Sequence, residues 1–164
     1  MKCIVTGGAG FIGSHIADAL IKEGFDVKII DDLSTGNRKN INKNAEFVQA
    51  DIRQLKKIMP HFKGVDYVFH AAALPRIIPS FEDPVLFHNV NVVGTLNCLI
   101  ASNKNKVKKF VYSASSSCYG NNFSIPTTEE DEIDPLNPYA LQKYEGELYC
   151  RLFAEQIGLP SVSL

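Results

Sequence analysis

Thr6-Gly7-Gly8-Ala9-Gly10-Phe11-Ile12-Gly13 decides how the rest of the chain is read. The preceding Lys2-Cys3-Ile4-Val5-Thr6 is short and β-prone, the signature of a buried strand. Behind it, Phe11, Ile12, Ile16, Ala19 and Leu20 recur at helical spacing, and Glu23-Gly24 supplies a helix end. The glycines therefore fall in a tight strand-to-helix turn. Gly8-x-Gly10-x-x-Gly13 has the spacing of a dinucleotide-binding turn. Residues without a Cβ let the backbone bend sharply and let a pyrophosphate reach main-chain N–H groups at the positive end of a helix. Gly7 opens an overlapping register, Gly7-x-x-Gly10-x-x-Gly13, and spacing alone does not say which glycines face phosphate. Gly7, Gly10, Phe11, Ile12 and Gly13 are the expected cofactor residues of this turn.

The flanks agree. A second strand, Phe25-Asp26-Val27-Lys28-Ile29-Ile30, runs into Asp31-Asp32. Asp31 stands eighteen residues after Gly13, close to the ~20 expected of a carboxylate that holds the adenosine ribose hydroxyls. An anion there repels a 2′-phosphate and favours NAD over NADP, although Arg38 lies near enough in sequence to leave that preference open.

The 164 residues suit one domain with a substantial core. With 17 basic against 18 acidic side chains there is no electrostatic case for nucleic acid or a membrane surface. No apolar run is read as reaching the ~18–20 residues of a membrane span, and Met1 leads straight into the first strand, with no signal peptide. Cys3, Cys98, Cys118 and Cys150 show no metal-binding spacing and read as reduced packing residues. No metal site is expected, and the expected location is cytoplasmic.

After a polar loop over 33–40, Glu46-Phe47-Val48-Gln49-Ala50 is a third strand. Asp51 then reads either as the N-cap of a short helix through Ile58 or, beside Ile52, as an acceptor for the adenine amino group; the two roles are compatible. Val65 to His70 is a fourth strand, and Ala71-Ala72-Ala73 leaves room for a cofactor at its carboxyl end. Leu74 to Pro84, with three prolines, is expected to be a loop. Pro84 starts a long helix with Val85, Leu86, Val90, Val93 and Leu96, in which Asn89 or Asn91 faces the cofactor pocket. Lys109 to Ser113 is a fifth strand with Ser113 in the ligand-facing position, followed by a polar loop from Tyr119 to Asp134. Asn137-Pro138 caps a helix with Leu141, Tyr144, Leu148 and Leu152 on one stripe, ending near Gly158, and a sixth strand starts at Ser161. Strand and helix alternate throughout, which predicts an α/β fold, a doubly wound parallel sheet of Rossmann type.

Tyr139-Ala140-Leu141-Gln142-Lys143 sets a phenol and an ammonium one helical turn apart. A nearby cation favours the phenolate of a group whose free pKa is about 10, which fits Tyr139 for general acid–base work. Ser115 can share the proton.

Taken together, Thr6 to Gly13, Asp31-Asp-Leu-Ser-Thr-Gly36, Asp51-Ile52, His70-Ala-Ala-Ala73, Asn91 with Gly94-Thr95, Ser113 to Tyr119-Gly120, and Pro138-Tyr-x-x-x-Lys143 resemble the extended short-chain dehydrogenase/reductases. Within them the chain is most similar to the NAD-dependent nucleotide-sugar epimerases. The resemblance implies Ser115, Tyr139 and Lys143 as catalytic residues and Gly7, Gly10, Gly13, Asp31, Asp51, Ile52 and Asn91 as cofactor positions. Asp32, Ala71, Ala72, Ala73, Ser113, Tyr139 and Lys143 complete the expected cofactor set. It further implies bound NAD, a UDP-sugar substrate, inversion at C4 through a 4-keto sugar, and a homodimer paired through helices 84–104 and 138–158. Val92, Leu99, Tyr149 and Phe153 are apolar positions beyond one stripe, available for that pairing. The family's smaller lobe, which grips the nucleotide-sugar, would follow Leu164, so residues 1–164 read as the NAD-binding domain alone, inactive without it. Related dehydratases carry an Asp-Glu pair where this chain has Ser116-Ser117, which makes a dehydratase or other reductase the alternative. A non-catalytic NAD-binding sensor is the other, and it has no need of Tyr139 and Lys143.

Overall fold

β1 (Lys2–Thr6) runs through the middle of a six-stranded parallel sheet in the computed structural model of the protein, which describes residues 1–121 and 125–164. The expected loop over 119–134 therefore includes three residues, 122–124, that lie outside the described ones. Beside β1 lie β2 (Asp26–Asp31) and β3 (Glu46–Gln49) on one side. On the other come β4 (Tyr67–His70), β5 (Lys109–Tyr112) and β6 (Ser161–Ser163), giving the order β3-β2-β1-β4-β5-β6. Winding reverses between β1 and β4, and a doubly wound sheet binds its ligands outside the strand ends at that reversal. The register makes those ends level: Thr6 sits opposite both Ile30 and His70, and His70 opposite Tyr112.

Alternation along the strands sends neighbours to opposite faces. Val5, Val27 and Ile29 pack with Ala17 of α1 (Phe11–Lys22). Ile4, Val68, Phe110 and Tyr112 pack on the other face with Ile58 of α2 (Leu55–Ile58). Joining them there are Leu99 of α5 (Gly94–Lys104) and Cys150 of α6 (Pro138–Leu152). All four cysteines are buried and unpaired.

Four readings of the sequence change. First, Ile77–Glu82 forms α3 inside the expected loop. Pro79 is its third residue, where a helix N–H has no intrahelical partner, so the ring forfeits no bond. Second, Asp51 caps a turn rather than a helix: its Oδ1 accepts the Arg53 N–H at 2.8 Å, and α2 begins only at Leu55. Third, α4 (Pro84–His88), a π turn at Asn89–Val93 and α5 join into one helix of 21 residues, long and apolar enough to cross a membrane. Its buried residues include Asn91, Thr95, Asn97 and Ser102, and Asn97 donates to the carbonyls of Ile52 and Arg53 at 3.0 and 2.9 Å. Packing on the sheet accounts for its apolar face. Fourth, the buried residues of α6 are Ala140, Gln142, Lys143, Gly146 and Cys150, while Leu141 and Leu152 are about half exposed. A small-residue stripe lets α6 approach the sheet closely: a Cβ on Gly146 would overlap the Tyr112 hydroxyl.

Candidate functional site

An open cleft of about 790 Å³ lies over the carboxyl ends of β1, β2, β4 and β5. One end is made almost wholly of backbone. Gly7 takes φ +70°, and a Cβ there would meet the Ala72 backbone at 2.7 Å. A Cβ on Gly13 would overlap the Gly7 carbonyl, so α1 comes this close to β1 only with hydrogen at that position. The first intrahelical bond of α1 is Ser14 N–H to Gly10 O, and no side chain caps the helix. The N–H groups of Phe11, Ile12 and Gly13 are left facing the cleft, a concentration of partial positive charge suited to a pyrophosphate.

Asp31 is buried, with its Oδ2 accepting the Ala9 N–H at 3.0 Å and its Oδ1 the Leu33 N–H at 2.8 Å. The carboxylate thus ties the glycine turn to the end of β2, and each oxygen keeps a lone pair for a ribose hydroxyl. Asp32 accepts both the N–H and the hydroxyl of Ser34. Arg38, the possible ligand of a 2′-phosphate, instead donates to Gln49 Oε1 at 2.6 Å and lies over the Phe47 ring. Burial opposes the charge of Asp51, but hydrogen bonds and an ion pair from Arg53 (2.7 Å) outweigh it and hold the carboxyl below its ordinary value.

The other end is assembled from side chains. Tyr139 and Lys143 reach the cleft from the first two turns of α6, beside Ser113 and Ala114. Asn137 Oδ1 accepts the Ala140 N–H at 2.8 Å and Pro138 takes the first helical position, which fixes where the helix starts. The buried Ser80 hydroxyl of α3 accepts the Tyr139 N–H at 3.2 Å. Lys143 is only 4% exposed and donates to the Ser113 carbonyl at 2.5 Å. Burial pushes its pKa down to about 8.

Beneath this end runs a buried polar chain. Thr95 Oγ donates to the Asn91 carbonyl at 2.6 Å, so its oxygen is left to accept from His70 Nε2 at 2.9 Å. His70 is therefore the Nε2–H tautomer, and its Nδ1 accepts from the Thr6 hydroxyl at 2.6 Å. Thr6 Oγ in turn accepts the Ala72 N–H at 3.4 Å. Burial, with the Lys143 charge second, lowers the His70 pKa to about 3 and keeps the ring neutral.

The expected cofactor residues meet in the cleft, from Gly7, Gly10, Phe11, Ile12 and Gly13 through Asp31, Asp32, Asp51 and Ile52 to Ala71, Ala72, Ala73, Ser113, Tyr139 and Lys143. Asn91 does not line it. Its carboxamide spends both ends on Leu74, accepting the N–H at 2.8 Å and donating to the carbonyl at 3.1 Å, and so shapes the cleft wall from behind. Ser115 also stands off the lining, with its Oγ 2.7 Å from Ser117 Oγ. Sequence reading missed Arg76, which lines the cleft with the strained φ of 97°; nothing in the residue type signals that conformation.

A family model described as "NAD dependent epimerase/dehydratase family" matches residues 3–164. The UDP-glucose 4-epimerase of Lactobacillus helveticus is 40% identical over 146 residues, 87% of this chain and 44% of that protein. The crystal structure of Thermotoga maritima UDP-glucose 4-epimerase with UDP-glucose superposes with a TM-score of 0.96 at 38% identity, over 99% of this chain and 54% of that one. The Thermus thermophilus UDP-glucose 4-epimerase complex with NAD gives 0.94 at 37% identity, over 99% and 54%. The chain spans about half the length of the curated relatives it matches.

Proposed function

The chain belongs to the NAD-dependent epimerase/dehydratase family, and from that premise we propose that it is the dinucleotide-binding, catalytic part of a nucleotide-sugar 4-epimerase that uses NAD and a UDP-hexose. The observation that carries the reading is one cleft holding the glycine turn, the Asp31 carboxylate, and Tyr139 with Lys143. The residues fit the dinucleotide. Gly7 and Gly13 let the turn pack against Ala72 and against itself without a clashing Cβ; the Phe11 to Gly13 N–H groups would hold the pyrophosphate, Asp31 would take ribose hydroxyls, and Ala71 to Ala73 would admit the nicotinamide half. When bound, NAD supplies a reversible hydride acceptor, so that C4 is oxidised and reduced again on its other face with no net redox change.

Tyr139 exchanges the proton of the sugar C4 hydroxyl with its phenol oxygen, with the Lys143 ammonium one helical turn on. Ser115 completes the set once its hydroxyl turns from Ser117 to the substrate. No carboxylate stands at Ser116-Ser117 to promote loss of water, which favours epimerisation over dehydration.

The assembly proposed is a homodimer through the α4–α5 and α6 faces. Val92, Leu99 and Phe153, expected to serve it, are buried within the chain, whereas Val85, Val93, Leu141 and Leu152 stay exposed on those helices.

Two measurements test the reading. NAD should bind this chain at least tenfold more tightly than NADP; tighter NADP overturns the role given to Asp31. In a form spanning the relatives' length and assayed with UDP-galactose, Tyr139→Phe should lower turnover about 10²–10⁴-fold with NAD occupancy unchanged. Near-normal turnover removes Tyr139 from the chemistry.

A further inference from the structure

We propose that Tyr112 is the positioning residue of Lys143: its ring face carries the lysine ammonium, and the stacked His70 ring holds Tyr112 in place. The proposal deepens the catalytic reading of Lys143 and rests on it for its functional meaning, but its geometry stands independently.

Lys143 enters the protein with few partners. Its ammonium has three N–H donors, of which the Ser113 carbonyl takes one. Among the described residues no carboxylate pairs with it. What does lie against it is the Tyr112 ring, with Nζ 4.2 Å from the centroid. A cation stripped of water gains more from an aromatic face than an exposed one does, because no solvent competes for the charge.

Tyr112 is bound to the same residue twice. Its hydroxyl donates to the Lys143 backbone carbonyl at 3.2 Å while its face lies under the ammonium, so one ring spans the lysine from main chain to head group. The space for that hydroxyl exists because residue 146 is glycine. The ring is fully buried and cannot swing away. Behind it the His70 ring lies at 5.8 Å and 19°, nearly parallel. His70 is locked in rotation by Thr6 on one nitrogen and Thr95 on the other. The brace therefore runs from the strand that bears the glycine turn, through two stacked rings, to the lysine that faces the other end of the cleft.

The test reads Lys143 directly, by NMR of its labelled Cε and Nζ through a pH titration of this chain, with the signal assigned by its loss in Lys143→Met. In Tyr112→Phe the ring survives, and the Lys143 midpoint should stay within about 0.3 pH units of the parent. In Tyr112→Leu it should fall by about one unit, the worth of a desolvated cation–π contact. Phenylalanines carrying successive ring fluorines at position 112 keep the shape but drain the π face, and the midpoint should fall with each fluorine. That series decides the matter if the leucine variant does not fold. A midpoint that ignores fluorination, or that drops equally in Tyr112→Phe and Tyr112→Leu, overturns the proposal. Neither dinucleotide nor sugar is needed, so failure here and failure of the epimerase reading are separate results.

Discussion

At one end of the cleft, the turn from Thr6 to Gly13 leads into the N-terminus of α1, and Gly7 and Gly13 lack the Cβ atoms that would collide with neighbouring backbone. At the other, Lys143 of α6 is held by the Ser113 carbonyl and the ring of Tyr112 from β5, which stacks on His70 of β4, with α3 bracing the helix start. The first end works by leaving atoms out, and the second by bringing charged and aromatic groups together out of water. The difference teaches what each tolerates. The glycine end should fail when anything is added, whereas the lysine end should fail when charge or partner is changed, and in a pH-dependent way.

The largest effect is expected where an added atom has nowhere to go. Gly13→Ala drives a methyl group into the Gly7 carbonyl and should cost about 3 kcal/mol of stability together with about 100-fold in NAD affinity. Melting and calorimetric titration measure both, and an unchanged affinity would erase the contrast between the two ends.

Next in size is the acid response of the side-chain end. The folded pKa of His70 is about 3 against an ordinary 6.5, so the unfolded chain takes up a proton first as pH falls. Stability is whole above 6.5 and declines toward 3. Between pH 6.5 and 4.5 the loss should reach about 2–3 kcal/mol, and His70→Gln should flatten that part of the profile. Parallel profiles for both proteins would separate His70 from acid sensitivity.

Lys143 gives a smaller effect of the same kind. With its folded pKa near 8 and an ordinary value of 10.5, it carries a burial penalty that is full below pH 8 and relieved as pH rises toward 10.5. Lys143→Met should therefore stabilise the fold by about 2 kcal/mol at pH 7, the gain shrinking by pH 10. A pH-independent gain would point to packing instead of charge.

Smallest is the helix cap. Asn137→Ala removes the acceptor of the Ala140 N–H and should cost about 1 kcal/mol. NAD affinity should hold within about twofold, since the glycine turn is built elsewhere. A matching loss of affinity would show that the two ends of the cleft are coupled more tightly than their construction suggests.

How much of this was legible follows the same division. The glycine turn, Asp31, the alternation of strand and helix, the Asn137-Pro138 helix start and the Tyr139–Lys143 pair are local patterns, with cause and effect within a few residues. The errors arose where distant packing decides. Leu141 and Leu152 look like a core stripe, yet α6 buries Ala140, Lys143, Gly146 and Cys150 because close approach to Tyr112 favours small residues over large ones. Pro79 looked like a loop breaker and proved harmless in the first turn of α3. Asn91, expected at the cofactor pocket, stands behind the cleft wall with its carboxamide bonded to the Leu74 backbone, a placement that its residue type does not signal.

The sequence by itself determined the doubly wound sheet, the dinucleotide turn and the one-turn spacing of Tyr139 and Lys143, because strand period, glycine spacing and one helical turn are properties of neighbouring residues. Only the tertiary structure decided that His70 is a neutral Nε2–H imidazole stacked on Tyr112, and that Tyr112 lies under Lys143. Those three residues are separated by up to seventy-three positions in the chain. Their protonation and contacts arise from parallel register and from burial, neither of which exists until the sheet has closed.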